Sequence, residues 1–132
     1  MATALEPVDV EDALRADLST DALPVCAPPV PRDLERRFPC AVIERVGGAR
    51  VNAVLDSHDL TASVWAGTWA QAMARANALA GAIARLESTV GASGVQWRTA
   101  RPVSLPANAP DPLHPNIPRV QFTANVTCRA TL

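Results

Sequence analysis

The segment Arg119–Leu132 constrains the fold more than any other part of the chain. Val120, Phe122, Ala124, Val126, Cys128 and Ala130 alternate with Gln121, Thr123, Asn125, Thr127, Arg129 and Thr131 without a break. Successive side chains of a strand point to opposite faces, so this pattern makes one apolar face and one polar face. A strand that long, wet on one side, belongs in an antiparallel sheet whose other side is covered. Its polar face is almost uncharged, and Arg129 is its only ionic member after Arg119.

A covering element is legible upstream. Trp69, Ala72, Met73, Ala76, Leu79, Ala80, Ile83 and Leu86 recur at helical spacing. Thr68 and Gln71 stand three apart, as a hydroxyl N-cap and its capping-box partner do. The helix should end near Glu87–Gly91. Ala74, Ala78, Gly81 and Ala82 lie opposite the apolar stripe, where they can serve as helix formers or let a second surface approach closely. Trp69, Met73, Ala76, Ile83, Val120, Phe122 and Val126 are expected to share one core.

The remaining elements follow from turn chemistry. Pro7, the acids Asp9, Glu11 and Asp12, and the spacing of Val10, Leu14 and Leu18 predict a helix over 7–19. Cys40–Val46 reads as a strand, Gly47-Gly48 as a hairpin turn, and Arg50–Leu55 as the return strand. Asp56–Asp59 reads as a second turn, Leu60–Ala66 as a strand, and Val95–Val103 as another. Prolines 24, 28, 29, 31 and 39 make residues 20–39 an extended connector. Arg32, Glu35, Arg36 and Arg37 can form one helical turn inside it. Prolines 106, 110, 112, 115 and 118 stiffen a loop over 102–118, whose part Ala107–Arg119 can act as a contact arm. Together these predict an α/β (α+β) fold in a single domain over 1–132. Its sheet is mixed, mainly antiparallel, with about four or five strands flanked by helices.

Composition removes several function classes. The formal net charge is −1, which does not suit an electrostatic nucleic-acid binder. All 12 basic residues are arginine, so no P-loop lysine and no Schiff-base lysine exists. Cys26, Cys40 and Cys128 are odd in number and widely spaced, with no disulfide framework. Met1–Pro7 lacks the basic and apolar segments of a signal peptide, and no apolar run approaches a membrane span. A reducing cytoplasm is the expected setting.

Catalytic and metal chemistry finds little support. Asp56-Ser57-His58-Asp59 contains triad residue types, but triad members converge from separate segments. A zinc site drawn from Cys26, Cys40, Cys128, His58 and His114 lacks close paired-ligand spacing. Trp65, Trp69 and Trp97 have no basic stripe beside them, so core or interface roles are expected rather than base stacking. No catalytic residue, cofactor or metal is expected.

Charge is distributed unevenly. Residues 1–21 carry Glu6, Asp9, Glu11, Asp12, Asp17 and Asp21 against Arg15, whereas 88–132 carry Arg98, Arg101, Arg119 and Arg129 against Asp111. That asymmetry suits head-to-tail association of copies. The candidate subunit or partner contacts are Arg36, Arg37, Arg75, Arg85, His114, Arg119 and Arg129. Arg36, Arg37, Arg119 and Arg129 are the candidates to pair with the acidic helix of a neighbouring copy.

The order of elements carries a family resemblance. An acidic helix, a proline-rich connector, a strand with Arg45-Val46-Gly47-Gly48 and a strand ending Val64-Trp65-Ala66 come first. The alanine-rich helix, a strand, a long loop and the long last strand follow. This resembles the tail terminator (tail-completion) proteins of long, non-contractile-tailed bacteriophages, over residues 8–131. The likeness is strongest in Val42–Gly48, Leu60–Leu86 and Arg119–Arg129. It implies a non-catalytic virion protein, assembled in the host cytoplasm and placed at the tail–neck junction. It also implies a homo-oligomeric, hexameric ring on the tail tube protein that meets a head-completion or neck protein and lets DNA pass without reading its sequence. The proline-rich stretches Leu23–Pro39 and Pro102–Pro118 have no firm counterpart in that family. A different head–tail connector (head-completion or adaptor) protein and a small ligand- or metal-binding α/β domain are the alternative readings.

Overall fold

Eleven-residue strands dominate the computed structural model, which describes residues 5–131. The elements in chain order are α1 (Val10–Leu18), β1 (Val25–Cys26), β2 (Cys40–Arg50), β3 (Leu55–Trp65), α2 (Trp69–Arg85), β4 (Trp97–Pro102), β5 (Ala107–Asn108) and β6 (Arg119–Arg129). A single 3₁₀ turn, Leu34–Arg36, interrupts the proline-rich connector. The sheet runs β1-β2-β3-β6-β4, with β5 beside β6, so it has 6 strands rather than four or five. Only the β1–β2 pairing is parallel, which makes the sheet mixed and mainly antiparallel. This is a single-domain α+β fold. The expected run of the last strand to Leu132 ends outside the described residues, as do the first four positions of Met1–Pro7.

Both helices cover one sheet face. Ala72, Ala76, Leu79 and Ile83 of α2 and Val10, Ala13, Leu14 and Leu18 of α1 pack on Leu60, Ala62, Val64, Phe122 and Val126. Each large aliphatic or aromatic side chain withdrawn from water contributes about 1.5–3 kcal/mol. Thr68 caps α2 by accepting the Gln71 N–H at 3.2 Å, and Asp9 caps α1 by accepting from Asp12 N–H at 3.2 Å. Pro7 therefore lies ahead of α1, not in its first turn. Trp69 departs from expectation: it is 40% exposed on the first turn of α2, and Ala72 and Ala76 take the inward positions. A smaller cluster sits on the other sheet face, where Leu34 and Ile117 cover Cys40, Val42 and Trp65.

The glycine pair does not turn the chain. Gly47 and Gly48 lie inside β2, directly after a bulge at Val46. Gly48 has φ +148, and a Cβ there would collide with the Ser57 carbonyl, so only glycine fits. The hairpin instead turns between Arg50 and Leu55, where Asn52 Oδ1 accepts the N–H groups of Val54 and Leu55, both at 3.0 Å. As a result, Arg50 belongs to β2, and Asp56–Asp59 is the start of β3 rather than a turn. The strand expected at Val95–Val103 spans Trp97–Pro102, and α2 stops at Arg85.

Candidate assembly interface

The loop between β4 and β6 folds into an arm tied by hydrogen bonds. Ala107 and Asn108 pair with Gln121 and Val120, and Ala109 N–H bonds Arg119 O at 2.9 Å. Arg119 closes the base: its Nε donates to Ala109 O at 2.6 Å and its Nη2 to Pro110 O at 3.4 Å. Asp111 ties the tip. Its Oδ1 accepts Leu113 N–H at 2.9 Å and its Oδ2 lies 3.3 Å from His114 Nδ1 and 3.9 Å from Arg119 Nη1. The Leu113 amide, then His114 and Arg119, hold the Asp111 carboxyl below the usual carboxylate range. Ile117 returns the chain to the smaller core. The result presents Leu105 and Leu113 to solvent, 87% and 84% exposed, on a segment fixed by hydrogen bonds and prolines.

The polar sheet face beside the arm is knitted to itself. Gln121 Nε2 donates to Ser63 Oγ at 2.8 Å, and Asn125 Nδ2 donates to Ser57 Oγ at 2.8 Å and Asp59 Oδ1 at 2.9 Å. Thr99 and Thr127 hydroxyls meet at 2.8 Å, and Ser104 Oγ accepts from Thr123 N–H at 2.8 Å. Cross-strand bonds of this kind order the face, with Asp59 the one carboxylate among these bonds.

The structure separates the candidate contact residues. Arg36 and His114 line one small cleft between connector and arm, with Arg32, Glu35 and Ile117. Arg37 is held by Asp33, Nε to Oδ1 at 2.7 Å. Arg75 and Arg85 lie on the exposed side of α2, and Arg129 stands at the far end of β6 from Arg119. Ten strand steps separate those two by about 34 Å. Arg119 is occupied within its own loop, which removes it from an intersubunit pair with the acidic helix. That helix is itself partly engaged. Asp12 pairs with Arg15 at 2.6 Å, Glu11 Oε2 accepts Arg45 N–H at 2.9 Å, and Asp17 binds Ser93 and Trp97.

Sequence reasoning missed a polar cluster on the helix-covered face. His58 is 2% exposed; its Nδ1 lies 3.5 Å from Arg45 Nη1 and its Nε2 3.7 Å from Cys128 Sγ. A guanidinium only donates, so Nδ1 accepts and the ring proton sits on Nε2, toward the sulfur. Burial, then the Arg45 charge, lowers the His58 pKa, and burial pushes the Cys128 thiol up to about 11. In this tautomer the Nε2 proton already points at the sulfur, so that nitrogen has no lone pair to take the Cys128 proton. Next to them Arg50 grips Asp56 through two bonds of 2.8 and 3.1 Å. The signal was available: Asp56, His58, Leu60, Ala62 and Val64 alternate, and extending the strand backwards places both polar groups inward.

The five potential zinc ligands are not gathered. Cys128 meets His58, Cys26 and Cys40 belong to the smaller cluster, and His114 is on the arm. Among the described residues no group of three or more His, Cys, Asp or Glu is placed to hold a metal, and no helix is long and apolar enough to cross a membrane. A scan against models of protein families finds no match, and a search of curated proteins finds none either.

Proposed function

We propose that this chain is a structural subunit of a phage tail–neck junction, a tail terminator that forms a ring on the end of the tail tube. The observation that carries the assembly part of this reading is the arm. Leu105 and Leu113 are held in water by a framework of hydrogen bonds and prolines. Exposed leucines on a pre-ordered segment suit a protein–protein contact, because little entropy is lost on docking. A ring needs two different complementary surfaces on each copy. The arm beside β6 and the exposed β2–β3 hairpin, with Val46 and Val51 in solvent, offer two such surfaces. The order of elements, which resembles that of tail terminators, supplies the partners in this reading: the tail tube on one side and a neck protein on the other.

Light scattering over a wide concentration range tests the ring. A species of about six chain masses, or a monomer–hexamer equilibrium, supports it. A strict monomer that is also not retained by cognate tail tubes contradicts it.

A further inference from the structure

Among the described residues, the outer edge of β2 beyond Arg45 has no partner strand. β1 covers the edge of β2 only at Ala41 and Val42, and Glu11 takes the Arg45 N–H. Beyond the bulge, Val51 N–H bonds Leu55 O at 2.8 Å, which fixes the alternation. Gly47, Ala49 and Val51 therefore face β3, and Gly48 and Arg50 turn their backbone groups outward. Among the described residues those two N–H groups have no partner. At the opposite sheet edge, β4 is closed by its own chain, because Ser88 N–H bonds Trp97 O and Ala100 N–H bonds Glu87 Oε1, at 2.9 and 3.3 Å.

A cleft of about 460 Å³ is lined by Arg45 and Gly47–Arg50 of β2 together with Leu5, Pro7, Asp56 and His58. Its charges are uneven. Arg50 is satisfied by Asp56 and by Leu5 O at 3.2 Å, so its charge and donors are spent. The Arg45 guanidinium has only the 3.5 Å contact to His58 and no carboxylate within ion-pair distance among the described residues. Glu11 meets the Arg45 backbone, not its side chain. Gly47 and Gly48 add no side-chain bulk beside the open backbone row.

We propose that this edge is a docking site for an extended, carboxylate-bearing segment of another polypeptide. The segment adds as a strand beside Gly48–Arg50, and its acid meets Arg45. Main-chain hydrogen bonds supply the attachment, and the single guanidinium supplies the choice of side chain. This docking site does not depend on the ring reading, since any partner with such a segment fits it.

The test uses the full chain and two capped heptapeptides that alternate valine and threonine, with a central glutamate in one and lysine in the other. Binding is followed by amide chemical shifts and by fluorescence anisotropy of the labelled peptide. The glutamate peptide is expected to shift the Gly48 and Arg50 amides, and the lysine peptide to bind about tenfold more weakly. Arg45→Gln should erase that difference and keep the spectrum of a folded protein. Equal binding of the two peptides overturns the proposal, as does a response that leaves Gly48 and Arg50 unmoved. The peptide comparison on the unaltered protein decides the matter even if the variant folds poorly.

Discussion

The carboxylate of Asp17 accepts the indole N–H of Trp97 at 2.8 Å, joining the end of α1 to the start of β4. Trp97 is 0% exposed, so its N–H has no route to water without this acceptor. Asp17 also takes Ser93 N–H at 2.8 Å and Ser93 Oγ–H at 2.6 Å. Asp17→Ala should lower stability by about 1–3 kcal/mol, the cost of leaving a buried donor unpaired. Urea unfolding measures it. A loss below about 0.5 kcal/mol would show that the indole finds another partner.

Core packing gives a contrast between two aromatic residues. Phe122→Ala removes a buried ring from the middle of β6 and should cost about 3–5 kcal/mol. Trp69→Ala acts on a ring 40% exposed at the start of α2 and should cost under about 1 kcal/mol. If both cost the same, α2 sits on the sheet in a different rotation.

His58 predicts a pH dependence. Its folded pKa is below the ordinary 6.5, chiefly through burial and then through Arg45. The unfolded chain therefore takes up this proton first. Stability is complete above 6.5 and falls as pH drops through and below that value. The carboxyls of Asp56 and Asp111 are lowered from 3.8, so their contribution is lost only in stronger acid. His58→Gln should flatten urea midpoints between about pH 7 and pH 5. A slope that survives the substitution would assign the effect elsewhere.

Thiol reactivity should distinguish the three cysteines. Burial pushes Cys40 and Cys128 up to about 11, and both are enclosed, whereas Cys26 is only half-buried. At about pH 8 a maleimide should label Cys26 quickly in the folded protein and all three cysteines in urea. Rapid native labelling of Cys128 would contradict the packing of the His58 cluster.

Much of the fold was legible because periodicity was clean. The alternation of β6, the Thr68 cap and the stripe Ala72–Ala76–Leu79–Ile83 each matched one geometry. The readings that failed did so where local chemistry and tertiary pairing disagreed. Gly47-Gly48 carries a hairpin signal, yet a long partner strand pairs straight across it, directly after the bulge at Val46. Trp69 lies on the apolar stripe, but it is a first-turn residue and the smaller Ala72 fits closer to the sheet. β1 and β5 are two-residue strands with no pattern of their own; β2 and β6 create them by pairing. An ordered loop over 102–118 was foreseeable from its prolines. The grip of Arg119 on Ala109 and Pro110 was not, since one arginine in a basic half of the chain looks available to a partner.

The most direct test of the account adds the protein to cognate tail tubes and counts the copies retained. The unaltered chain should saturate at about six per tube end, and a Leu105→Ser, Leu113→Ser double variant should fold normally but be retained poorly. Retention by DNA-filled heads and not by tubes would contradict the account, as would undiminished retention of the double variant.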